Sequence, residues 1–282
     1  MLFRSTLFDV ARRQRGGGGE RSVFISMGEA GIASRILAGR FGSAWTYAGP
    51  VSGVGQLRAD ELLDGYRFRS LGDATQVYAV VGSPIAHSVS PAMHNAAFQQ
   101  AGLDAVYLPL KAASPDDFLQ FAAAMGVRGA SVTIPFKVAL FERMDEVTDA
   151  GRRAGAINTI RIEVDGRRLG DNTDAAGFLR PLRDRQVALD GARVSVLGAG
   201  GSARAVAVSL ASMGAHVTIH ARRLDSARAV AEHASADIGP WPPARGSWDM
   251  LVNCTPVGMH PHVEETPLSR DGLTGQIGRA HV

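Results

Sequence analysis

Val194-Ser-Val-Leu-Gly-Ala-Gly-Gly-Ser-Ala-Arg204 decides the fold: an apolar run meets a glycine turn and continues into the helix-like Ala205-Val-Ala-Val-Ser-Leu210. Strand, tight turn and helix follow one another as in a nucleotide-binding βα unit. In that order Gly198, Gly200 and Gly201 let the backbone turn sharply and approach a pyrophosphate. Free N–H groups at the helix start point toward the negative charge. Ala203 takes the third glycine slot, a permitted variant. The candidate phosphate-binding turn is therefore Gly198, Ala199, Gly200, Gly201, Ser202 and Ala203. Glycine-rich turns also arise for conformational reasons alone, so context has to carry the reading.

A second strand, Ala215-His-Val-Thr-Ile-His220, follows at the spacing of a βαβ unit, and Ala221-Arg222-Arg223 comes next. No acid sits there to accept from a ribose 2′-hydroxyl. Guanidinium groups suit a 2′-phosphate instead, so Ala221, Arg222 and Arg223 favour NADP over NAD. The alternative is that the two arginines are a solvated pair at a helix start. A third strand, Met250-Leu-Val-Asn253, leads into Cys254-Thr-Pro-Val-Gly-Met-His-Pro261.

The 282 residues are 45% hydrophobic and 20% charged, ordinary globular material and long enough for two domains. No apolar run approaches the roughly 20 residues of a membrane span. The net charge of +3 and pI of 9.4 come from dispersed arginines rather than basic blocks, which argues against a nucleic-acid partner. Cys254 stands alone, so neither an internal disulfide nor a cysteine zinc cluster can form; this suits a reducing, cytoplasmic compartment. His87 and His94 lack partners at ligand spacing, and neither is assigned a metal. The opening Met1 to Arg13 is basic and mildly amphipathic, but Asp9 and the lack of a cleavable apolar core argue against a targeting peptide.

Residues 1–70 offer two strand–helix units: strands at Val23–Ser26 and Ser43–Tyr47, helices at Glu29–Ala38 and Ala59–Arg67. Arg12 to Glu20, with four consecutive glycines, is expected to be a flexible connection. Ile25-Ser-Met-Gly-Glu-Ala-Gly-Ile-Ala-Ser-Arg35, Gly42-Ser-Ala-Trp-Thr-Tyr-Ala-Gly49 and Gly55-Gln56 resemble the last two βα units of a type I 3-dehydroquinate dehydratase barrel. The resemblance implies a partial (β/α)8-barrel remnant in which Arg35, Ser52 and Gln56 correspond to substrate-holding residues. The family's Schiff-base lysine is absent from this segment, so no imine can form there. A linker is expected at Arg69 to Thr75.

The strand Val77-Tyr-Ala-Val-Val81 runs into Gly82-Ser-Pro-Ile-Ala-His-Ser-Val-Ser-Pro-Ala-Met-His-Asn95. Ser88 and Ser90 are two apart, so in an extended segment their hydroxyls face one side. Ser90 is the expected N-cap of a helix with Pro91 first, and the two hydroxyls could seat a small carboxylate or merely cap the helix. Ser131-Val-Thr-Ile-Pro-Phe-Lys137 alternates as a half-buried strand does, and Pro135 opens a turn that carries Lys137 outward. Ala154-Gly-Ala-Ile-Asn-Thr-Ile160 and Gly170-Asp-Asn-Thr-Asp-Ala-Ala-Gly177 flank a hairpin turning at Asp165-Gly166. Asp174 has an adequate reason for its place as a helix-start acid, and Pro181 is expected to end or kink that helix.

Together these motifs resemble, in order, the signatures of shikimate dehydrogenases. That resemblance implies an α/β fold in which a substrate domain at 76–182 precedes a Rossmann-like NADP-binding domain at 183–276. It also implies NADP-dependent reduction of 3-dehydroshikimate to shikimate. Lys137 and Asp174 become the catalytic pair; Ser88, Ser90, Ser131, Thr133 and Asn158 become substrate contacts; Thr255 and Met259 lie beside the nicotinamide. Ser131 stands where the family more often has asparagine, and serine there resembles chains that fuse the dehydratase to the dehydrogenase. Cys254 is read as packing, since no base lies near it in sequence. Ile277-Gly-Arg-Ala-His-Val282 is expected to be a non-native tail.

Overall fold

The structure, a computed structural model, describes residues 22–259 and 263–269 together with positions 7, 9–11, 13, 273, 276 and 277. Of the glycine-rich connection at 12–20 all but position 13, and of the expected tail at 277–282 all but Ile277, which pairs with Leu251, lie outside the described residues. In chain order come helix α1 (Ile32–Ile36), strand β1 (Gln76–Gly82), α2 (Ser90–Gln100), β2 (Ala105–Lys111), α3 (Pro115–Met125), β3 (Val127–Val132), α4 (Lys137–Phe141), β4 (Glu146–Val147), α5 (Asp149–Ala154) and β5 (Thr159–Ile162). They continue with β6 (Arg168–Asp171), α6 (Asp174–Asp184), β7 (Arg193–Leu197), α7 (Gly201–Ala211), β8 (His216–His220), α8 (Leu224–Ala234), β9 (Asp237–Ile238), β10 (Met250–Asn253) and β11 (Gln276–Ile277). Two compact units result: Met1–Phe136 with Ile160–Arg168, and Lys137–Thr159 with Leu169–Val282.

In the first unit a continuous apolar run makes β1 a central strand, because only a strand covered on both faces can bury successive residues. Val77, Ala79, Val80 and Val81 are all buried. β1 pairs in parallel with β2 on one side and β3 on the other, placing Val81 level with Leu110 and Val132. α3 covers the sheet with Phe118, Phe121, Ala122 and Met125, the spacing of one helical face. Its start is fixed by Ser114, whose hydroxyl accepts from the Asp117 N–H at 3.1 Å, followed by Pro115 and two acids in the first turn. The hairpin turn forms as expected: Gly166 takes φ +87° and the Asp165 carboxylate accepts from the Arg167 N–H at 3.0 Å.

The N-terminal segment departs from expectation. Neither Val23–Ser26 nor Ser43–Tyr47 forms a strand. One backbone bond, Ala44 N–H to Ser22 O at 2.9 Å, and the Ser43 hydroxyl bridging Phe24 link the two stretches, too little to make a ladder. The expected helix at Glu29–Ala38 is a 3₁₀ turn, Glu29–Gly31, leading into the five-residue α1. The second expected helix runs over residues 59–65, opening with α geometry at Ala59 and Asp60 and closing as a π-type turn at Glu61–Gly65. The segment packs on the first sheet. Lys111 of β2 pairs with Glu29 at 2.7 Å, and the Arg40 guanidinium donates to Met125 O at 2.8 Å, to Asp73 O at 3.2 Å and to Thr75 O. The expected linker is thus held by Arg40 rather than loose.

In the second unit β10, β7, β8 and β9 run parallel in that order, with β11 beyond β10. Val194 and Val196 of β7 pack with Val206 and Leu210 of α7, Ile219 of β8 and Val230 of α8 into one apolar cluster. His220 is a core histidine. Its Nδ1 donates to Pro240 O at 2.7 Å, which leaves Nε2 to accept from the Ser195 hydroxyl at 3.1 Å, and burial lowers its pKa. α6 does not end at Pro181 but runs to Asp184, because Phe178, Leu179 and Leu182 pack into the same cluster on both sides of the proline. No helix among the described residues is long and apolar enough to cross a membrane.

Candidate active site

Lys137 is the first residue of α4, and the structure corrects its expected outward position: it is 7% exposed. A buried ammonium needs a partner. Asp174, 8% exposed at the first position of α6, supplies one, with Lys137 Nζ 2.6 Å from Asp174 Oδ2. Asn158 closes the other side of the carboxylate, its Nδ2 donating to Asp174 Oδ1 at 2.6 Å and to the Thr173 hydroxyl at 2.9 Å. The orientation of that amide is fixed independently, since the Thr173 N–H can only donate and does so to Asn158 Oδ1 at 3.0 Å.

Two residues that the sequence reading missed aim Asp174. Asn172, 2% exposed, donates to Ala156 O at 2.9 Å and accepts from the Asp174 N–H at 3.0 Å; Thr173 holds Asn158. The signal was present, because Asp-Asn-Thr-Asp packs four short polar side chains onto a helix start. A third partner was assigned another role. Ser202 of the glycine turn accepts from Lys137 Nζ at 3.1 Å.

Within the first unit, the carboxyl ends of β1 and β3 lie side by side. Thr133 N–H donates to Val81 O at 2.9 Å and Ser83 N–H to Ile134 O at 2.8 Å, so Ser131 near the end of β3, Thr133 just after it, and Ser88 and Ser90 at the start of α2 all follow the carboxyl ends of these strands, where ligands bind in open parallel sheets. Ser90 is not the N-cap: α2 begins at Ser90 itself, and it is Ser88 whose hydroxyl accepts the Ser90 N–H, at 3.3 Å. Val89 has helical angles, φ −81° and ψ −8°, so a turn rather than an extended strand relates the two hydroxyls. Ser131 Oγ accepts from the Tyr107 hydroxyl at 2.7 Å, and burial raises the Tyr107 pKa, keeping it a neutral donor.

The glycine turn has three distinct reasons for its residues. Gly198, at φ +105°, passes so close to the end of β10 that a Cβ would lie 2.9 Å from Cys254 O. Gly200, the N-cap of α7, has open space where a Cβ would stand, so a ligand can reach its backbone. Gly201 serves a purpose the sequence did not suggest: a Cβ there would come within 2.7 Å of Lys137 Cβ. Ala203 is fully buried against the core and Ala199 partly so. Arg222 and Arg223 are exposed after the partly buried Ala221, with Arg223 the N-cap of α8.

After β10, Asn253 organises the next loop. Its Oδ1 accepts from the Thr255 N–H at 2.9 Å and from the Thr255 hydroxyl at 2.7 Å, while Nδ2 donates to Val257 O at 3.1 Å. Met259 at the end of that loop is 47% exposed. Burial pushes the Cys254 thiol up to about 12, the Asp174 charge adding to this and Lys137 opposing it.

The dehydratase-like residues are drawn together by backbone contacts. Arg35, 2% exposed, donates through Nε to Gly55 O at 2.6 Å and through Nη2 to Val54 O at 2.9 Å. Ser52 begins that same 3₁₀ turn and is exposed, and Gln56 follows it, its Oε1 accepting from the Val51 N–H at 3.3 Å. Among the described residues no group of three or more His, Cys, Asp or Glu side chains could hold a metal ion.

Comparison with known proteins assigns this geometry a context. Residues 80–160 match the family described as the shikimate dehydrogenase substrate binding domain, and residues 6–73 match type I 3-dehydroquinase. The chain is 37% identical over 276 residues to the bifunctional 3-dehydroquinate dehydratase/shikimate dehydrogenase of Arabidopsis thaliana, covering 89% of this chain but 45% of that protein. It is 38% identical over 204 residues to a shikimate dehydrogenase (NADP(+)) of Bacillus cereus, covering 68% of this chain and 73% of the relative. Among solved structures, the shikimate 5-dehydrogenase of Thermus thermophilus in complex with NADP(H) and shikimate superposes with a TM-score of 0.61 at 36% identity, over 72% of this chain and 78% of that one.

Proposed function

The chain belongs to the shikimate dehydrogenase family, and on that premise we propose that it catalyses the reversible NADP-dependent reduction of 3-dehydroshikimate to shikimate. The observation that carries the reading is the buried Lys137–Asp174 pair, held by Asn158 and set against the glycine turn. A buried pair costs desolvation and contributes little to stability for its trouble, so its presence beside a nucleotide-binding turn favours a chemical task.

The residues of the turn suit an NADP: an open backbone at Gly200, a helix N-terminus behind it, and the exposed guanidiniums of Arg222 and Arg223 after β8. When bound, the cofactor supplies the hydride. The protein's part is the oxygen. Reduction of a ketone leaves negative charge there, and Lys137 meets it. An ammonium carries three N–H donors; two go to Asp174 and Ser202, and the third is left for the substrate oxygen. The proton passes from Lys137 to that oxygen and is replaced from solvent, while Asp174 keeps the amine in place.

Ser88 and Ser90 hold the substrate carboxylate, and Ser131, Thr133 and Asn158 its hydroxyls. Thr255 and Met259 would stand beside the nicotinamide. The domain limits of 76–182 for the substrate part and 183–276 for the cofactor part follow the same family. Residues 1–70 contain no lysine, so this segment by itself supplies no amine for an imine. The deciding experiment follows the absorbance of NADPH and of NADH separately in the presence of 3-dehydroshikimate. Substrate-dependent loss of NADPH supports the reading; no consumption of either nucleotide, together with no shikimate binding by calorimetry, overturns it.

A further inference from the structure

The geometry points to Ser202 as a positioning residue for Lys137, so that the glycine turn orients the lysine as well as receiving the dinucleotide. This rests on the role given to Lys137 above and goes beyond it, because a serine at this place in a glycine turn is otherwise read as a phosphate neighbour. Three observations converge on it. Ser202 Oγ accepts from Lys137 Nζ at 3.1 Å. The preceding Gly201 leaves room for the lysine stem, since a Cβ there would stand 2.7 Å from Lys137 Cβ and 3.1 Å from Cδ. The N-cap of α7 is Gly200, so Ser202 stands at the second position of the helix rather than at its cap.

The physical consequence concerns direction. A lysine side chain has a flexible four-carbon stem, and a single contact leaves its ammonium free to rotate and swing. Asp174 Oδ2 at 2.6 Å and Ser202 Oγ at 3.1 Å are two contacts, from α6 and from α7. With two of its tetrahedral donors pinned, the third N–H has one direction. Ser202 keeps its own hydroxyl proton, so it can accept from Lys137 and donate elsewhere at the same time.

The test exploits the composition of the chain, which contains two lysines, Lys111 and Lys137. Protein labelled with 13C at lysine Cε gives two side-chain signals, and Lys111, paired with Glu29 at 2.7 Å, is an internal control. Ser202→Ala, which places a good helix former in a helix, is expected to move the Lys137 signal and leave that of Lys111 in place. Ser202→Thr, which keeps the hydroxyl, is expected to restore it. In turnover assays Ser202→Ala is expected to lower kcat about tenfold with the KM for NADPH changed less than about twofold, the split that separates orientation from nucleotide binding. An unmoved Lys137 signal, or a raised NADPH KM with kcat retained, overturns the inference and makes Ser202 a phosphate contact. Absence of turnover in the unsubstituted chain overturns the functional reading instead, and the labelled spectra then decide the Lys137 contact alone.

Discussion

Asn158 Nδ2 lies 2.6 Å from Asp174 Oδ1, on the carboxylate oxygen opposite the one that Lys137 takes, also at 2.6 Å. Both oxygens of the acid are therefore occupied by donors before any ligand arrives. Such a carboxylate is better placed to orient its neighbours than to take up a proton from substrate, which assigns the proton to Lys137.

Replacing Lys137 by Ala should accordingly lower kcat by about 10³ while the KM for 3-dehydroshikimate stays within a few-fold, because the ammonium acts on charge that exists only in the transition state. The same change leaves Asp174 buried without its cation and should cost about 3 kcal/mol of stability, read from urea melts. A variant with raised KM and retained kcat would reduce Lys137 to a binding group.

Arg222 and Arg223 are exposed at the start of α8 and free to meet a phosphate. Changing both to Ala should raise the KM for NADPH about tenfold or more and leave that for NADH nearly unchanged. Steady-state kinetics with the two nucleotides side by side measures it. Equal effects on both, or none, would return the arginines to a solvated helix-start pair.

What was legible in the sequence follows from what local pattern can encode. Val194 to Leu210 read correctly as strand, turn and helix because apolar period and glycine placement are properties of neighbours in sequence. The reason for Gly201 was not legible, since the atom it makes room for belongs to Lys137, sixty-odd positions earlier. The outward turn expected at Pro135 failed likewise: chain direction at a proline is local, but burial of Lys137 depends on Asp174. The helix carries on for one turn past Pro181 to Asp184, because packing on both sides of the proline is not a local property. At residues 23–47 strand-like composition lacked paired neighbours, and without a ladder no strand forms.

Cys254 should behave as an inert thiol. Its pKa is pushed up to about 12 chiefly by burial, and the thiolate is the reactive form. Native protein at pH 8 should therefore alkylate with iodoacetamide far more slowly than urea-unfolded protein. The folded value lies above the unfolded one, near 9, so the stabilisation is complete below about pH 9 and is lost as pH rises toward 12. Urea midpoints should fall between pH 8 and pH 10.5, and Cys254→Ala should flatten that slope. Rapid alkylation of the folded chain would show the thiol to be accessible and ionised.

Arg40 offers the clearest test of how much the N-terminal segment contributes to the stability of the first unit. Its Nη1 donates to Met125 O at the carboxyl end of α3, where a cation also meets the negative end of the helix dipole, and its Nη2 holds carbonyls at Gly72, Asp73 and Thr75. The guanidinium thus ties helix α3 to the segment entering β1. Arg40→Ala should lower stability by about 2 kcal/mol, the scale of charged hydrogen bonds lost to partly buried carbonyls. Arg40→Lys should recover little of it, because one ammonium cannot span carbonyls that two edges of a planar fork reach. The same substitution should release the 69–75 stretch, so trypsin should cleave after the exposed Arg69 faster than in the unsubstituted protein. Unchanged melting together with unchanged cleavage would mean that residues 22–70 add nothing to the unit they pack against.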